Sequence, residues 1–461
     1  MTSSPSRPLL LLPVENQVRE LDAKLLVATM AALEGYSSVI GWKGYIDYQI
    51  ARFGPSIYFA KSISPANTKM LGIKRQLGHF VIAWDEEAVV HYPAEIYYRR
   101  RVGQEALQLI DRYVCWGEDN DELMRGHPGF DPKLSRILGN PRIDLLRPEL
   151  REFFRERAET LRSEHGDFVL VNTNFGSVNG YTDKLNLMRQ DESGTWTMGR
   201  GSKGMPLDYA QGLFAFRSRV LEGFREILPR LAAAKPQRRI ILRPHPSEDH
   251  EDWRRRLADH PNIEVIAQGN VVPWLMACSA LLHNGCTTAV EGFVLGTKIV
   301  SFVPEDDDRY EFALPNALGP RCRNIEEVLA ALAGSAESSE VLANRRSLAT
   351  RFIGSLDGEL SSQRIVAMLD ECHPRRELSG LATRTWGKMR AEWRQLNKIF
   401  KQRFGVARYG EDFRRQRFPE LSEEFVQQKV DQFATALSLP TSPRVRQRSL
   451  DLFQLTPRSN P

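Results

Sequence analysis

Cysteine is scarce in this chain, and its few cysteines are not arranged to hold a metal. The 461 residues include five cysteines, with no Cys-x-x-Cys pair and no Cys/His cluster at metal-ligand spacing. The cysteines are Cys115, Cys278, Cys286, Cys322 and Cys372. A scattered, odd set of this kind disfavours a structural zinc site and predicts reduced thiols in the cytoplasm.

Long apolar runs are also lacking. The longest one near the start, residues 9–14, is far below the ~20 residues that a helix needs to cross a bilayer. Pro13 and Glu15 end the run, and no small-residue cleavage site follows it. We therefore predict a buried strand here and not a signal peptide.

An excess of charge of one sign is missing from most of the chain. The net charge is +5, and the 42% hydrophobic and 26% charged residues are typical of a globular protein. Between residues 374 and 418, however, there are thirteen Lys and Arg against four Asp and Glu. This local excess predicts an anionic partner, and membrane phospholipid and nucleic acid are both candidates.

The chain is rich in short apolar runs that alternate with helical patterns. The predicted strands are 9–14, 37–40, 56–60, 79–84, 113–116, 136–138, 167–172, 239–243, 263–267, 280–283 and 298–302. This alternation predicts an α/β protein with two Rossmann-like, doubly wound domains, because 461 residues are too many for one ordinary core. We place the domains at 1–146 and 147–372 and a basic helical extension at 373–461. The strand carboxyl ends of both domains are expected to face a cleft, where ligands bind.

The most informative segment is Arg-Pro-His-Pro at 243–246, directly after a predicted strand. Prolines on both sides of His245 keep the backbone extended, so that a stiff loop aims the imidazole. Together with Arg243 it is suited to grip a diphosphate or phosphodiester and to stabilise it as it leaves. The alternative is a turn histidine with satisfied hydrogen bonds.

A second segment, 283–291, follows another predicted strand. Gly285 permits a tight turn, and Thr287 and Thr288 lie where a helix begins. Hydroxyls and N–H groups at a helix N-terminus form an anion site. Glu291, about one turn further along the helix, is placed to accept hydrogen bonds from a ribose. The alternative is an ordinary helix cap with a surface glutamate.

These segments resemble the nucleotide-binding half of GT-B glycosyltransferases. Residues 243–246, 283–288, Glu291, Gly296 and Val300 are similar to bacterial HP-motif transferases that use CMP-activated acidic sugars (sialyl, polysialyl and Kdo transferases), and to CDP-glycerol glycerophosphotransferases. Residues 12–15, 19–20, 84–87 and 139–144 resemble a family of surface carbohydrate biosynthesis proteins, and 139–144 also resembles nucleotide-sugar 2-epimerases. The resemblance covers residues 8–372, and a weaker resemblance is present at residues 417–419.

The resemblance implies a metal-independent GT-B glycosyltransferase whose donor is a nucleotide sugar, with no further cofactor. A CMP-linked acidic sugar of the Kdo or sialic type is the leading donor. The implied donor-binding residues are Asn172, Asn174, Gly176, Arg243, His245, Asn284, Gly285, Thr287, Thr288 and Glu291. In a GT-B enzyme the loop 172–176 would approach the donor phosphate.

An acidic triplet in the first domain supplies candidates for a catalytic base. Asp85, Glu86 and Glu87 follow the predicted strand 79–84, and a carboxylate is the usual acceptor of a hydroxyl proton in glycosyl transfer. HP-motif enzymes have a glycine after such an acidic pair, where this chain has Ala88. We expect Glu86 or Asp85 to be the base, with Glu87 third. A solvated acidic loop is the alternative.

Arg19 and Glu20 open the first predicted helix, at the same edge of the sheet. They either bind a charged acceptor or sugar carboxylate, or form only an ion pair.

Two further patterns are set aside. Residues 306–308 satisfy a metal-binding Asp-x-Asp pattern, but they lie in a loop after the last predicted strand, and we interpret them as a solvated turn. Residues 199–204 match Gly-x-Gly-x-x-Gly, but no strand precedes them and Pro206 interrupts the helix that should follow. We interpret residues 199–204 as a mobile loop or lid. They belong to a longer predicted loop, 176–206, which by its length is expected to be functional or disordered.

The basic extension begins with a helix predicted over 378–404. Its stripe consists of Trp386, Met389, Trp393, Leu396, Ile399 and Phe400. The stripe either packs on the first domain, which we favour, or touches anionic membrane, where lipid-linked acceptors reside. Nucleic acid is not an expected partner, because no recognition module is present.

The sequence therefore predicts a cytoplasmic glycosyltransferase, at most peripheral at the inner face of the plasma membrane. It would move a sugar from a nucleotide donor to a surface-polysaccharide or lipid-linked glycan, as in lipopolysaccharide or capsule synthesis. A CDP-polyol phosphotransferase, a nucleotide-sugar epimerase on the same fold and a non-catalytic scaffold of a polysaccharide assembly complex are the alternatives.

Overall fold

A computed structural model describes residues 7–334, 337–375, 380–403, 414–415 and 417–458. The chain divides into two compact units. Unit 1 contains the residues up to Ala88, Arg101–Phe153 and the residues from Phe352 onward, and unit 2 contains Val89–Arg100 and Phe154–Arg351. Relative to the bounds drawn from sequence, residues 89–100 fall in unit 2, and residues 147–153 and 352–372 fall in unit 1.

Strands and helices alternate through most of the chain. The strands are β1 Leu10–Val14, β2 Ser38–Trp42, β3 Ile57–Ala60, β4 Phe80–Ala83, β5 Arg112–Cys115, β6 Ser135–Ile137, β7 Phe168–Asn172, β8 Met188–Gln190, β9 Trp196–Met198, β10 Arg239–Arg243, β11 Ile263–Val265, β12 Ala280–His283, β13 Ile299–Phe302, β14 Arg321–Cys322, β15 Arg444–Ser449 and β16 Leu452–Thr456. The helices are α1 Gln17–Leu33, α2 Lys43–Tyr48, α3 Thr68–Gln76, α4 Ala94–Arg101, α5 Gln104–Leu107, α6 Glu118–Arg125, α7 Pro141–Asp144, α8 Arg155–His165, α9 Leu207–Ala234, α10 His250–Arg256, α11 Val271–Ala277, α12 Thr287–Leu295, α13 Ala313–Ala317, α14 Ile325–Ala333, α15 Ser339–Phe352, α16 Ser361–Met368, α17 Leu381–Arg403 and α18 Glu423–Ala436. All eleven predicted strands are present, with ends displaced by at most two residues.

Unit 1 is built on a sheet with the strand order β15-β16-β2-β1-β3-β4-β5-β6. Strands β1 to β6 pair in parallel, as the alternation of elements predicts. All five residues of β1 are buried, as expected for a strand covered on both faces. The chain runs from β1 to β2 on one side and to β3 on the other, so the topological switch point lies between β1 and β3.

Two strands of the C-terminal extension join this sheet, so the prediction of a purely helical extension is wrong. Strand β16 pairs antiparallel with β2, and β15 pairs with β16. Only Val445 is buried among the six residues of β15, so this edge strand has no apolar alternation to reveal it. The hairpin approaches Gly41 closely, since a Cβ there would lie 1.9 Å from the carbonyl oxygen of Asp451.

Helix α17 packs on unit 1 with the face opposite to the expected one. Residues 378, 379 and 404 of the predicted helix lie outside the described residues. Gly387 and Ala391 are buried, and a Cβ on Gly387 would lie 2.9 Å from the Cβ of Gln76 in α3. Small side chains let the two helix backbones approach closely, whereas the aromatic stripe points to solvent, with Trp393 69% exposed. The expectation that this stripe is buried is therefore wrong.

Unit 2 is built on a parallel sheet with the strand order β11-β10-β7-β12-β13-β14. Successive residues of β7 enter different cores. Val169 and Val171 pack with α9, whereas Phe168 and Leu170 pack with α8 and α11. Because both faces of the sheet are covered, the predicted doubly wound α/β architecture is confirmed.

The glycine-rich segment 176–206 contains regular structure. Strands β8 and β9 pair antiparallel, and Leu187 and Met188 join a small core with Leu213 of α9. Arg100 donates hydrogen bonds to the carbonyl oxygens of Gly201 and Lys203. The expectation of a segment without secondary structure is wrong, because its few apolar residues are too widely spaced to form a pattern.

The chain returns to unit 1 through a segment held by Asp144. Its fully buried carboxylate accepts hydrogen bonds from the N–H groups of Ser361 and Ser362, at 2.9 and 2.7 Å, at the start of α16. Arg147 donates to two carbonyl oxygens in the loop 355–358. The motif at 139–144 therefore fixes the returning chain in place.

Among the described residues, no helix combines the length and the hydropathy that a membrane span requires.

Candidate functional site

Three parallel strands of unit 2 end side by side at the predicted site. Asn172, the last residue of β7, is in register with Arg243 of β10 on one side and with His283 of β12 on the other. The switch point of this sheet lies between β7 and β12, and ligands of open α/β sheets bind at such points. The register therefore brings together the candidate segments 172–176 and 243–246 and the segment that begins at His283.

One buried carboxylate ties two of these segments together. Glu248 accepts hydrogen bonds from the N–H groups of Phe175, at 3.0 Å, and of His245, at 2.9 Å. It also accepts from the Thr173 hydroxyl and the Trp253 indole, both at 2.9 Å. Burial raises the pKa of Glu248, while these donors oppose the shift by favouring the charged form. Sequence analysis missed this residue, whose one visible signal is its place beside the Arg-Pro-His-Pro segment.

His245 is exposed at the tip of its loop. Its Nδ1 lies 2.7 Å from the Oγ of Ser247, and Ser247 packs against Gly176. A Cβ on residue 176 would lie 1.8 Å from that Oγ, so any residue larger than glycine would push the two loops apart. Gly176 therefore permits the close packing of the loops that follow β7 and β10.

Arg243 holds a neighbouring loop. Its guanidinium is buried, donates to the carbonyl oxygens of Gln268 and Gly269 at 2.8 and 2.9 Å, and lies over the Trp274 ring at 4.9 Å. Burial lowers the pKa of Arg243 to about 10, so it remains charged at neutral pH. These contacts give Arg243 a positioning role, and its contact with a phosphate stays a prediction.

The turn before α12 depends on His283. Gly285 has φ +83°, which glycine adopts without strain, and its N–H donates to the His283 Nδ1 at 2.9 Å. Burial lowers the pKa of His283 to about 3, so the ring is neutral at physiological pH. Its Nε2 then carries the proton and donates to Ser301 Oγ, 2.9 Å away.

Helix α12 begins at Thr287, as the sequence predicts. Thr287 and Thr288 form its first turn and Glu291 follows one turn later, and all three side chains are partly exposed. The N–H groups of a first helical turn have no partner within their helix and favour anions.

A cavity of unit 2 opens at the ends of β7, β12 and β13. Its lining includes Asn174, Asn284, Asn316 and the guanidinium-bearing Arg217 of α9. The side-chain oxygens of Asn284 and Asn316 are buried without a hydrogen-bond partner among the described residues. A buried oxygen in this state costs on the order of 1–3 kcal/mol. A ligand that carries hydrogen-bond donors would therefore be stabilised here.

In unit 1, Asp85 and Glu86 are buried and contact cations. Arg101 donates two hydrogen bonds to the Asp85 carboxylate, at 2.9 and 2.7 Å. The Oε1 of Glu86 accepts from the Trp84 indole at 2.9 Å and lies 3.3 Å from the Lys24 ammonium. The bidentate pairing makes Asp85 a weaker candidate for a base than Glu86, because its oxygens are already committed.

Glu87 forms ion pairs with Arg19 at 3.1 Å and with Arg101 at 2.7 Å. Desolvation opposes its ionisation, but the two guanidinium groups lower the pKa of Glu87 to about 2. Its side chain is 49% exposed, so solvent screens part of this attraction. A carboxylate held in its charged form is a weak base, so Glu87 is a weak candidate. Arg19 forms an ion pair, which is one of the two roles predicted for it from the sequence.

Sequence analysis missed the cations at the switch point of unit 1. Lys61, which follows β3, lies 2.9 Å from Glu15 and 3.0 Å from Glu20. Lys24 pairs with Glu20 at 2.9 Å, and Arg417 of the extension lies 3.2 Å from Glu15. Burial opposes the charge of Lys61, but Glu20 and Glu15 outweigh it and raise its pKa. A lysine within the apolar stripe of α1 is the one sequence signal of this network.

The Asp-x-Asp pattern is held by arginines. Asp306 forms ion pairs with Arg321 and Arg323, and Asp307 with Arg309. Within the described ranges, no group of three or more His, Cys, Asp and Glu is arranged to hold a metal ion.

Neither a scan against protein-family models nor a search of curated protein sequences finds a match. Among solved structures, a putative UDP-N-acetylglucosamine 2-epimerase from Listeria monocytogenes is similar, with a TM-score of 0.51, 13% identity and coverage of 80% of this chain and 96% of that one. The wall teichoic acid polymerase TagF gives 0.48, 12%, 80% and 88%, and a UDP-GlcNAc 2-epimerase from Methanocaldococcus jannaschii gives 0.46, 11%, 79% and 99%.

At such low identity the likeness establishes the fold. The chain has the GT-B fold, with two Rossmann-like units, as predicted. The names of these neighbours describe one as a wall teichoic acid polymerase and two as UDP-GlcNAc 2-epimerases, the one from Listeria monocytogenes as putative.

We expect Glu248→Gln to loosen both loops of unit 2. A carboxamide cannot accept on both sides, so its NH₂ group would face either the N–H groups of Phe175 and His245 or the Trp253 indole. Amide hydrogen exchange at Phe175 and His245 should rise, and the free energy of unfolding should fall by about 2 kcal/mol. Glu251→Gln, at an exposed position of α10, is the control and should change neither. Unchanged exchange in the Glu248 variant would contradict the assignment.

Unit 2 should lose stability as the pH falls below about 6.5, the ordinary pKa of histidine. The folded His283 takes up a proton only near its pKa of about 3, whereas the unfolded chain does so near 6.5. Between these values the unfolded state binds more protons, so the free energy of unfolding decreases on acidification by at most about 1.4 kcal/mol per pH unit.

His283→Asn, whose Oδ1 can still accept from Gly285, should flatten this dependence in denaturant titrations between pH 7 and pH 4. His79 of unit 1, whose pKa burial lowers to about 4, leaves a residual slope of the same sign. Equal slopes for the two proteins would refute a neutral, buried His283.

Proposed function

We propose that the chain is a nucleotide-sugar-dependent glycosyltransferase in which unit 2 binds the donor. The observation that carries this proposal is the register of Arg243, Asn172 and His283 at a topological switch point, with Glu248 tying two of the following loops. A ligand seated there meets the first turn of α12, where N–H groups and the hydroxyls of Thr287 and Thr288 suit a phosphate.

The donor phosphate would be held by unit 2 side chains and N–H groups together. His245 would donate a hydrogen bond to it, Gly176 and Gly285 would allow close approach of the backbone, and Glu291 would accept from the ribose hydroxyls. These hydrogen-bond donors would assist departure of the nucleotide, because donors fixed around the phosphate stabilise the negative charge that develops on it.

The donor in this proposal is a CMP-linked acidic sugar. The resemblance of residues 243–246 and 283–291 to HP-motif transferases supports it. The unpartnered oxygens of Asn284 and Asn316 also support it, because the exocyclic amine of cytosine has two hydrogens to donate, whereas uracil has only its N3–H. Arg217, in the lining of the same cavity, is suited to a sugar carboxylate.

The acceptor in this proposal is a surface polysaccharide or lipid-linked glycan, and unit 1 supplies the base. Glu86 is the candidate, because Asp85 is bidentate with Arg101 and Glu87 has a depressed pKa. The acceptor hydroxyl would attack the anomeric carbon as its proton passes to the Glu86 carboxylate. The bond from the anomeric carbon to phosphate would break, and the nucleotide would leave with the electron pair.

His245→Ala should reduce transfer by about 100-fold or more, because a donor to the leaving phosphate is lost. The measurement is release of CMP from a CMP-activated sugar in the presence of a lipid-linked glycan. The unfolding temperature without ligand should not change, since His245 is exposed. His260→Ala, elsewhere in unit 2, is the control and should retain activity. Full activity of the His245 variant would refute the role of His245 as a donor to the leaving phosphate.

A thermal-shift panel of CMP, CDP and UDP decides the donor class in the same protein. Stabilisation by CMP is the expected result. Preference for UDP would favour an epimerase, preference for CDP a polyol-phosphate transferase, and no stabilisation by any nucleotide a scaffold.

Glu86→Gln should lower transfer by about 100-fold or more while CMP binding persists, because the base is lost and the donor site is not. Lys24 keeps its bonds to Glu20 and to the Pro13 carbonyl oxygen, so unit 1 should stay folded. Glu87→Gln is the matched comparison and should lower transfer less. Wild-type rates in the Glu86 variant would remove it from the mechanism.

A further inference from the structure

Helix α17 is held on unit 1 by one narrow face. Gly387 and Ala391 pack on α3, and Arg390 donates to the Gln76 side chain at 2.9 Å. Further along, the Lys398 ammonium lies over the Trp42 ring at 5.6 Å. These contacts lie on one side of α17 and fix which side chains it presents to solvent.

The opposite side is an apolar stripe of unusual exposure. Its members are Trp386 at 56%, Met389 at 54%, Trp393 at 69%, Leu396 at 62% and Phe400 at 62%. Their spacing of three and four residues keeps them on one line, which is ~21 Å long at 1.5 Å per residue. Single exposed apolar residues are common in proteins, but a continuous line of large ones marks an interaction surface.

Cations flank this stripe. Between residues 380 and 403 the only acid is Glu392, against seven Lys and Arg. Lys388, Arg394 and Arg403 are exposed, and none of them forms an ion pair with a described residue. At helical spacing, Arg394 lies on one side of the stripe and Lys388 and Arg403 on the other. The occupant of this surface must therefore be apolar at its centre and anionic at both edges.

A bilayer that contains anionic phospholipid meets both requirements. Tryptophan and phenylalanine enter the boundary between headgroups and acyl chains, while flanking Lys and Arg contact the phosphates. A second copy of this chain fits less well. A coiled-coil pairing through the stripe would put Lys388 and Arg394 at c and b positions, where neither meets a charge of the partner helix, and Arg403 at an apolar d position.

We propose that α17 docks the protein on an anionic bilayer surface. Trp386, Trp393 and Phe400 enter the interface, Lys388, Arg394 and Arg403 contact lipid phosphate, and Gly387 and Ala391 keep the helix on α3. The helix lies in the plane of the surface and does not span the bilayer. This surface is independent of the nucleotide site in unit 2.

The test is sedimentation of the full-length protein with vesicles of phosphatidylcholine alone or of an equal mixture with phosphatidylglycerol. The wild type should bind the mixed vesicles and not the neutral ones, and salt should weaken binding. Trp386→Gln with Trp393→Gln should lower the partition coefficient by about tenfold or more. Lys388→Gln with Arg394→Gln should lower it by about fivefold for each charge removed.

Trp196→Gln is the matched control, since Trp196 is 54% exposed on β9 of unit 2 and should not affect sedimentation. Circular dichroism and the CMP thermal shift should be unchanged in the α17 variants, which separates failure of this proposal from failure of the enzymatic one. Equal binding to both kinds of vesicle, no binding, or full binding by the double tryptophan variant would overturn the proposal. A dimer in lipid-free sedimentation velocity that this variant dissociates would assign the stripe to a second copy instead.

Discussion

The candidate site of unit 2, at the carboxyl ends of β7, β10 and β12, depends on the buried carboxylate of Glu248. Its hydrogen bonds from Phe175, His245, Thr173 and Trp253 come from the loop after β7, the loop after β10 and helix α10. A charge buried alone would cost several kcal/mol, and these donors offset that cost only when all of them are in place. The two loops are therefore set in position together, and the packing of Gly176 on Ser247 is a consequence of that arrangement.

In unit 1 the cost of burying carboxylates is offset by cations, and not by neutral hydrogen-bond donors as in unit 2. At the switch point of unit 1, Glu15, Glu20 and Glu86 are compensated by Lys24 and Lys61, so no carboxylate has to be neutralised. Burial opposes the charge of Glu15 and Glu20, but the neighbouring lysines outweigh it and lower the pKa of both carboxylates, which makes them weak bases. A general base among these carboxylates must therefore have a weaker contact with a cation than the other carboxylates have, because a strong contact favours the deprotonated form. Among the triplet, the 3.3 Å contact of Glu86 with Lys24 is the longest of its kind.

The order of strands and the α/β architecture can be predicted from the sequence, because buried parallel strands are short apolar runs that are recognisable without tertiary context. The sequence also indicates the segments 243–246 and 283–291, which the strand register brings to one edge. It does not reveal β15, because five of its six residues are polar and exposed and show no apolar alternation. Nor does it reveal partners distant in sequence, such as Arg101 for Asp85 or Glu248 for Phe175. The burial of Gly387 of α17 likewise depends on α3, which packs against it. The aromatic stripe is the stronger pattern in the sequence of this helix, yet it faces solvent.

The site in unit 2 offers a phosphate few charged side chains. The Arg243 guanidinium is bound to carbonyl oxygens, and His283 is neutral within its turn. The negative charge of a ligand must then be met by N–H groups and by the positive end of α12, equivalent to about half an elementary charge. Fixed dipoles of this kind do not reorganise when charge develops on a departing phosphate, so they stabilise the transition state more than the ground state. A cluster of arginines would hold substrate and product phosphates alike. In the proposed mechanism, the hydrogen bonds of Arg243 to the carbonyl oxygens of Gln268 and Gly269 leave these dipoles to meet the departing phosphate, which suits a leaving group better than tight storage of an anion.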